Sequence, residues 1–127
     1  MDKNVLIIDD DPMIRNLVKS ILENEGYKIS MAEDGQQGVD HIAAEARPIK
    51  YELIILDVVM PGMNGIEVLT KLKEDSDTSQ IPVLMLTGES KAEDIMAGYS
   101  TGADYYITKP FTRQQLLYGL NLVLKKE

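Results

Sequence analysis

The sequence predicts a doubly wound α/β domain, with five parallel strands and five helices packed on the sheet. Three observations point there. Short apolar, β-branched runs alternate five times with stretches of helical periodicity, the rhythm of parallel strands joined by crossover helices. Three of those runs, Val5-Leu6-Ile7-Ile8, Leu53-Ile54-Ile55-Leu56 and Val83-Leu84-Met85-Leu86, are apolar without interruption, as strands covered on both faces are. At 127 residues the chain is long enough for one hydrophobic core and too short for a second catalytic domain, so a single domain over residues 1–127 is expected.

Residues 4–8 form the first strand. Asp11 then offers an N-cap and Pro12 a first helical position, and Ile14, Leu17, Val18, Ile21 and Leu22 recur at helix spacing until Gly26 ends the helix. Residues 27–32 read as a second strand, half polar and suited to a sheet edge. Asp34 with Gln37 has the signature of a capping box for a helix carrying Val39, Ile42, Ala43 and Ala46, stopped by Arg47-Pro48. The third strand, 52–56, leads through a loop to Asn64-Gly65, where a helix with Ile66, Leu69 and Leu72 begins. The polar stretch 74–80 is a loop, and Pro82 precedes the fourth strand. Ser90 with Glu93 caps a helix running through Ala92, Ile95, Met96 and Tyr99, followed closely by Gly102. The fifth strand spans 103–108. Thr112 with Gln115 caps a last helix whose stripe is Leu116, Leu117, Leu120, Val123 and Leu124, and Lys125-Lys126 complements its dipole.

Thirteen basic against twenty-one acidic side chains leave a net charge of −8, which opposes direct binding to nucleic acid or an anionic membrane. The absence of cysteine excludes disulfides and thiolate metal sites. No secretory segment opens the sequence, and no apolar run approaches the roughly 18 residues of a membrane span, so a cytoplasmic location without membrane insertion is the expectation.

Chemistry-bearing residues gather where the strands end. Right-handed crossovers and the flavodoxin-like order 2-1-3-4-5 put the first and third strands side by side, with ligands binding beyond the carboxyl ends. Asp9 and Asp10 then meet Asp57, and Thr87 and Lys109 approach from the fourth and fifth strands. Two unit charges about 4 Å apart repel by roughly 4 kcal/mol at an effective dielectric near 20, so such a carboxylate cluster calls for a cation. A hard ion such as Mg²⁺ takes oxygen ligands and needs only one or two carboxylates besides a phosphoryl group. Phosphoryl transfer to a carboxylate needs an in-line nucleophile, a metal and further donors for the developing charge, and Thr87 and Lys109 are placed to be those donors.

Four motifs carry a family resemblance: Val5-Leu6-Ile7-Ile8-Asp9-Asp10-Asp11; Asp57 with Met60-Pro61-Gly62-Met63-Asn64-Gly65; Leu86-Thr87-Gly88; and Gly102-Ala103-Asp104-Tyr105-Tyr106-Ile107-Thr108-Lys109-Pro110-Phe111. In this order and spacing, over about residues 3–125, the chain resembles the receiver domain of two-component response regulators. The resemblance implies that Asp57 is the phosphoacceptor and that Asp9 and Asp10 hold Mg²⁺ directly or through water, with the Val59 backbone carbonyl as a third protein ligand. It implies that Thr87 and Lys109 contact the phosphoryl oxygens, that the Lys109–Pro110 bond is cis, and that Thr87 and Tyr106 form a switch pair. The implied partners are a histidine kinase or phosphotransfer protein and a downstream target met by the fourth helix, fifth strand and fifth helix. Two departures are small: Gly88 stands where the family more often has alanine, and Tyr105 where a second acid often follows Asp104. No output segment follows residue 127, so the chain is either a stand-alone receiver or a piece of a longer regulator.

Blander roles compete for several residues. Asp11 is a helix cap. Thr87 would mean nothing without its companions, and Tyr106 could be ordinary strand packing. Tyr105, on the opposite face of its strand, packs under the last helix. His41 is expected to face solvent, and Met60, Met63, Met85 and Met96 to pack or to lie in loops, exposed ones being available to a partner. Among other functions, a Mg²⁺-dependent phosphohydrolase of the haloacid dehalogenase type needs a second acid two residues after its nucleophile, where this chain has Val59. A flavin or nucleotide carrier on the same fold would meet an acidic first loop that repels phosphate. A phosphorylation-independent adaptor would have no use for the complete set Asp9, Asp10, Asp57, Thr87 and Lys109. The chain is thus expected to be no enzyme with a separate substrate, but a phosphoacceptor that assists its own phosphorylation and dephosphorylation.

Overall fold

The strands Asn4–Ile8 (β1), Lys28–Ala32 (β2), Tyr51–Asp57 (β3), Val83–Thr87 (β4) and Tyr105–Thr108 (β5) form one parallel sheet in the order β2-β1-β3-β4-β5. The structure is a computed structural model, in which residues 3–46, 49–88 and 92–124 are described. Between the strands run the helices Pro12–Glu23 (α1), Gly35–Ala43 (α2), Gly65–Glu74 (α3), Ala92–Thr101 (α4) and Arg113–Leu124 (α5). The expected doubly wound, flavodoxin-like topology is therefore present.

Period-two alternation divides the core into two layers. Val5, Ile7, Leu53, Ile55, Leu84 and Leu86 point to α1 and α5, meeting Val18, Ile21 and Leu22 of the first helix and Leu116, Leu120 and Val123 of the last. Leu6, Ile8, Ile54, Leu56, Val83 and Met85 point the other way, against Ile42 of α2 and Val68, Leu69 and Leu72 of α3. Each large aliphatic side chain so buried contributes about 1.5–3 kcal/mol of transfer free energy. This burial locks the strand register, since a one-residue slip would turn every inward side chain to the other face. β1 and β3 pair with Ile8 opposite Leu56, which brings the residues just beyond, Asp9 and Asp57, level with each other.

The helix ends follow from local chemistry. Asp11 caps α1 by accepting the Met13 N–H at 2.9 Å, with Pro12 in its first turn. Asn64 and Glu67 form a reciprocal capping box on α3, and Thr112 and Gln115 one at the start of α5. At α2, Asp34 accepts the Gln37 N–H as expected, but Gln37 Oε1 returns to the N–H of Glu33. Gly26 and Gly102, at φ +91° and +124°, close α1 and α4 in a conformation that a side chain would disfavour.

Several boundaries and exposures differ from the sequence reading. β5 starts at Tyr105, because Ala103 belongs to the α4 closure, donating its N–H to Gly98 O at 2.9 Å. Asp104 instead clamps β4, its N–H donating to Val83 O and its carboxylate accepting the Val83 N–H at 2.8 Å. α2 ends at Ala43, leaving Ala46 exposed beyond it; Arg47-Pro48 and the Ser90 cap lie outside the described residues. Met96 and Tyr99 are exposed, and among the described positions of α4 it is Gly98 that is buried. His41 is half-buried, with Nε2 3.7 Å from Glu45 Oε2 and its ring beside Tyr51. Met60 and Met85 are core residues. Among the described residues no helix is long and apolar enough to cross a membrane.

Candidate functional site

Every side chain of the candidate site sits at the carboxyl end of a strand or just past it. Asp57 is the last residue of β3 and Thr87 the last of β4, while Asp9 follows β1 and Lys109 follows β5. Asp9, Asp57 and Thr87 are buried, and Asp10 is exposed. Carboxylate oxygens of Asp9, Asp10 and Asp57 all lie within 4.8 Å of one another. Lys109 Nζ stands 2.9 Å from Asp9 Oδ2 and 3.3 Å from Asp57 Oδ1. Its peptide bond to Pro110 is cis.

The two oxygens of Asp9 have different surroundings. Oδ1 accepts the Asp11 N–H at 2.9 Å, which holds the acidic loop over the strand end. Oδ2 is buried without a hydrogen bond of good geometry, although the Lys109 ammonium lies beside it. A buried carboxylate oxygen served only by an ion pair is what a cation site needs, and the neighbouring donors are all oxygens, the set preferred by Mg²⁺. The residues present therefore fit a hard divalent ion. Among the nearby backbone carbonyls, that of Val58 is taken by the Gly65 N–H at 2.8 Å, while Val59 is exposed at the rim.

Electrostatics match this crowding. Burial foremost, and the charge of Asp9 next, push the Asp57 carboxyl up from 3.8 to about 7, while Lys109 pulls it the other way. Burial works against the Lys109 ammonium, but its close contact with Asp9 and the charges of Asp57 and Asp9 outweigh this and raise its pKa above the ordinary 10.5. The ammonium thus stays charged at any physiological pH, while Asp57 titrates near neutrality.

Two contributors were not singled out in the sequence. Arg15 Nη1 donates to the backbone carbonyl of Asp9 at 2.8 Å, tying the first turn of α1 to the acidic loop. Gly65 lets α3 press against the main chain of Asp57: a β-carbon there would overlap the Asp57 carbonyl oxygen and lie 2.9 Å from its carbonyl carbon. The first signal, an arginine six residues after an aspartate, is too common to read. The second was present in Asn64-Gly65, which was read as a helix start and as part of a family motif, without a packing role for the glycine.

A pH dependence follows. The folded-state pKa of Asp57 is raised, so its contribution to stability is fully present below about pH 4 and is lost as pH rises through about 7. In EDTA, the wild type should lose more stability between pH 4 and 8 than Asp57→Asn, by on the order of 2–4 kcal/mol. Parallel pH profiles for the two proteins would show that the carboxyl titrates as an ordinary one.

The sequence matches the family described as the response regulator receiver domain over residues 5–121. It is 40% identical over 122 residues to the DNA-binding dual master transcriptional regulator RpaA of Synechocystis sp., covering 96% of this chain and 49% of that protein. It is also 40% identical over 124 residues to the phosphate regulon transcriptional regulatory protein PhoB of Pseudomonas aeruginosa, covering 98% of this chain and 52% of that one. The chain spans about half the length of these curated relatives. Among solved structures, the chemotaxis protein CheY4 of Vibrio cholerae superposes with a TM-score of 0.88 at 35% identity, covering 98% of this chain and 100% of that one. Sheet order, the acid–lysine cluster at the strand ends and the family match agree: the chain belongs to the response regulator receiver domains of two-component signalling.

Proposed function

We propose that this domain is a phosphorylation-dependent switch, in which Asp57 accepts a phosphoryl group from the histidine of a kinase or phosphotransfer protein and the partner surface changes in response. The observation that carries the reading is the convergence of Lys109 Nζ on Asp9 and Asp57, at 2.9 and 3.3 Å, at the mouth of the switch point between β1 and β3. Asp9, Asp10, Asp57 and the Val59 carbonyl would hold Mg²⁺. When bound, the ion offsets the carboxylate repulsion and the charge on the transferred oxygens.

The chain's own groups do the rest. An Asp57 carboxylate oxygen forms the bond to phosphorus as the bond to the donor nitrogen breaks, and β3 holds that oxygen in place. Lys109, already between the two acids, turns its charge toward a phosphoryl oxygen, and the Thr87 hydroxyl donates to another. Reversal by water makes the domain an aid to its own dephosphorylation rather than an enzyme with a separate substrate. Val59 offers no carboxylate at the rim, which favours this reading over a phosphohydrolase. The output partner would meet α4, β5 and α5, with Tyr106 the sensor of Thr87.

Incubation with acetyl phosphate and Mg²⁺ should add one labile phosphate to the wild type, seen by mass spectrometry, and none to Asp57→Asn. Labelling of that variant at the normal rate would move the acceptor to another residue. Millimolar Mg²⁺ should raise the melting temperature, since it binds the native state preferentially. Asp10→Asn should abolish that rise and, in EDTA, stabilise the protein by removing one repelling charge; a wild type indifferent to Mg²⁺ would refute the metal site. Thr87→Ala should still be phosphorylated, but its chemical-shift response to Mg²⁺ and beryllofluoride should stop short of residues 90–118. A response reaching that region undiminished would separate Thr87 from the switch.

A further inference from the structure

α4 buries a glycine in its second half, Gly98, although glycine is among the poorest residues for a helix interior. The reason lies across the groove in β5. A β-carbon on Gly98 would overlap the Tyr106 hydroxyl oxygen and stand 2.5 Å from Cζ and 2.7 Å from Cε1. The helix backbone cannot easily retreat, because the Gly98 carbonyl accepts the N–H groups of Gly102 and Ala103 at 3.0 and 2.9 Å in the closure of α4. Nor can the strand, since Tyr106 lies opposite the fully buried Met85 of β4. The ring itself is half-buried, packed on the α2–α3 side of the core, with the Tyr99 ring 5.1 Å away. Tyr99 is exposed, so the open side of this seat faces solvent.

We infer that Gly98 is a positioning residue for Tyr106: the missing side chain forms the seat in which the ring lies against α4, and residue 98 thereby sets the balance between a tucked and a turned-out tyrosine. The inference rests on the switch reading above and deepens it. Thr87 lies two residues beyond Met85 on the same strand and so on the same face of the sheet as the seat. Tyr106 also lines a groove of about 670 Å³ with Thr108, Gln115 and Tyr118. A ring leaving the seat would change the wall of that groove, which lies on the β5–α5 part of the surface proposed for the output partner. A ligand at Asp57 shifts this balance only by its differential affinity for the two positions, and the seat decides where the balance starts.

The test is a pair of substitutions in the full chain, Gly98→Ala and Tyr106→Ala, and their combination. In the Tyr106→Ala background, Gly98→Ala should raise the melting temperature by about 3–5 °C, the ordinary gain of alanine over glycine in a helix. With Tyr106 present the same change should lower it, or yield a protein that folds only when Tyr106→Ala is added. Equal shifts in both backgrounds, or failure of the double variant to fold, would overturn the inference. A second readout reports on switching: Gly98→Ala should be labelled by acetyl phosphate like the wild type, yet lose the beryllofluoride response of residues 96–118. Wild type and variant responding alike through that region would overturn the inference while leaving the switch reading intact. Absence of labelling in the wild type would defeat the switch reading, and the melting temperatures would still decide whether Gly98 seats Tyr106.

Discussion

Two buried carboxylates, Asp9 and Asp57, are held beside each other by strands that cannot move apart, and the Lys109 ammonium is wedged against both. Left to themselves the acids would separate, since their repulsion at such distances is worth a few kcal/mol. They stay because β1 and β3 pair through residues buried on both faces, and sliding either strand by one residue would turn Ile7, Ile8, Ile55 or Leu56 into the opposite core layer, where its packing partners are absent. Core burial therefore maintains an arrangement that electrostatics opposes. The visible sign is Asp57, whose carboxyl is pushed up to about 7 despite a lysine in contact. A domain that keeps such a cluster gives up some stability there, a local conflict of the kind expected at a functional site.

In the proposed switch, the response would travel from that point to the border of the sheet. Alternation along β5 sends Tyr105 under α5, where Gly119 leaves room for its ring, and Tyr106 toward α4, where Gly98 does the same. Neighbouring tyrosines thus serve opposite layers, one filling the core behind the sheet and the other resting at an edge that solvent can reach. Because β5 is an edge strand, its outer flank is not covered by a sixth strand. Motion of one ring there would need no rearrangement of the central sheet, which is a physical reason for the proposed switch to place its responsive element at the border of the fold.

The supports of the site are less conspicuous than its ligands. Arg15 acts on the Asp9 main chain and Gly65 on that of Asp57, so neither presents its chemistry to the crevice. Arg15 fixes the loop that carries Asp9 and Gly65 lets α3 pack on the strand end that carries Asp57, and rigid placement of charged groups is what gives such a site its strength.

Most strands and helices, and the residues that gather at the strand ends, were legible in the sequence, while the sheet order was taken from the flavodoxin-like topology such alternating units adopt. Apolar runs of strand length, helical stripes and caps such as Asp11, Asn64 and Thr112 are local signals, and local energetics enforces them. The candidate site was equally legible, because strands that run parallel place every residue after a strand at the same end of the sheet. What only the tertiary structure decided depends on atoms distant in sequence. Nothing near Ala103 announces that it belongs to the α4 closure rather than to β5, nor does the pattern around Met96 and Tyr99 show that α4 turns Gly98 inward. His41 looked solvent-facing until Tyr51 and Glu45 closed around it. The raised pKa of Asp57 likewise arises from burial and from Asp9, 48 positions away along the chain. Periodicity and capping are encoded within a few residues, whereas close approach and desolvation exist only once separate elements have met.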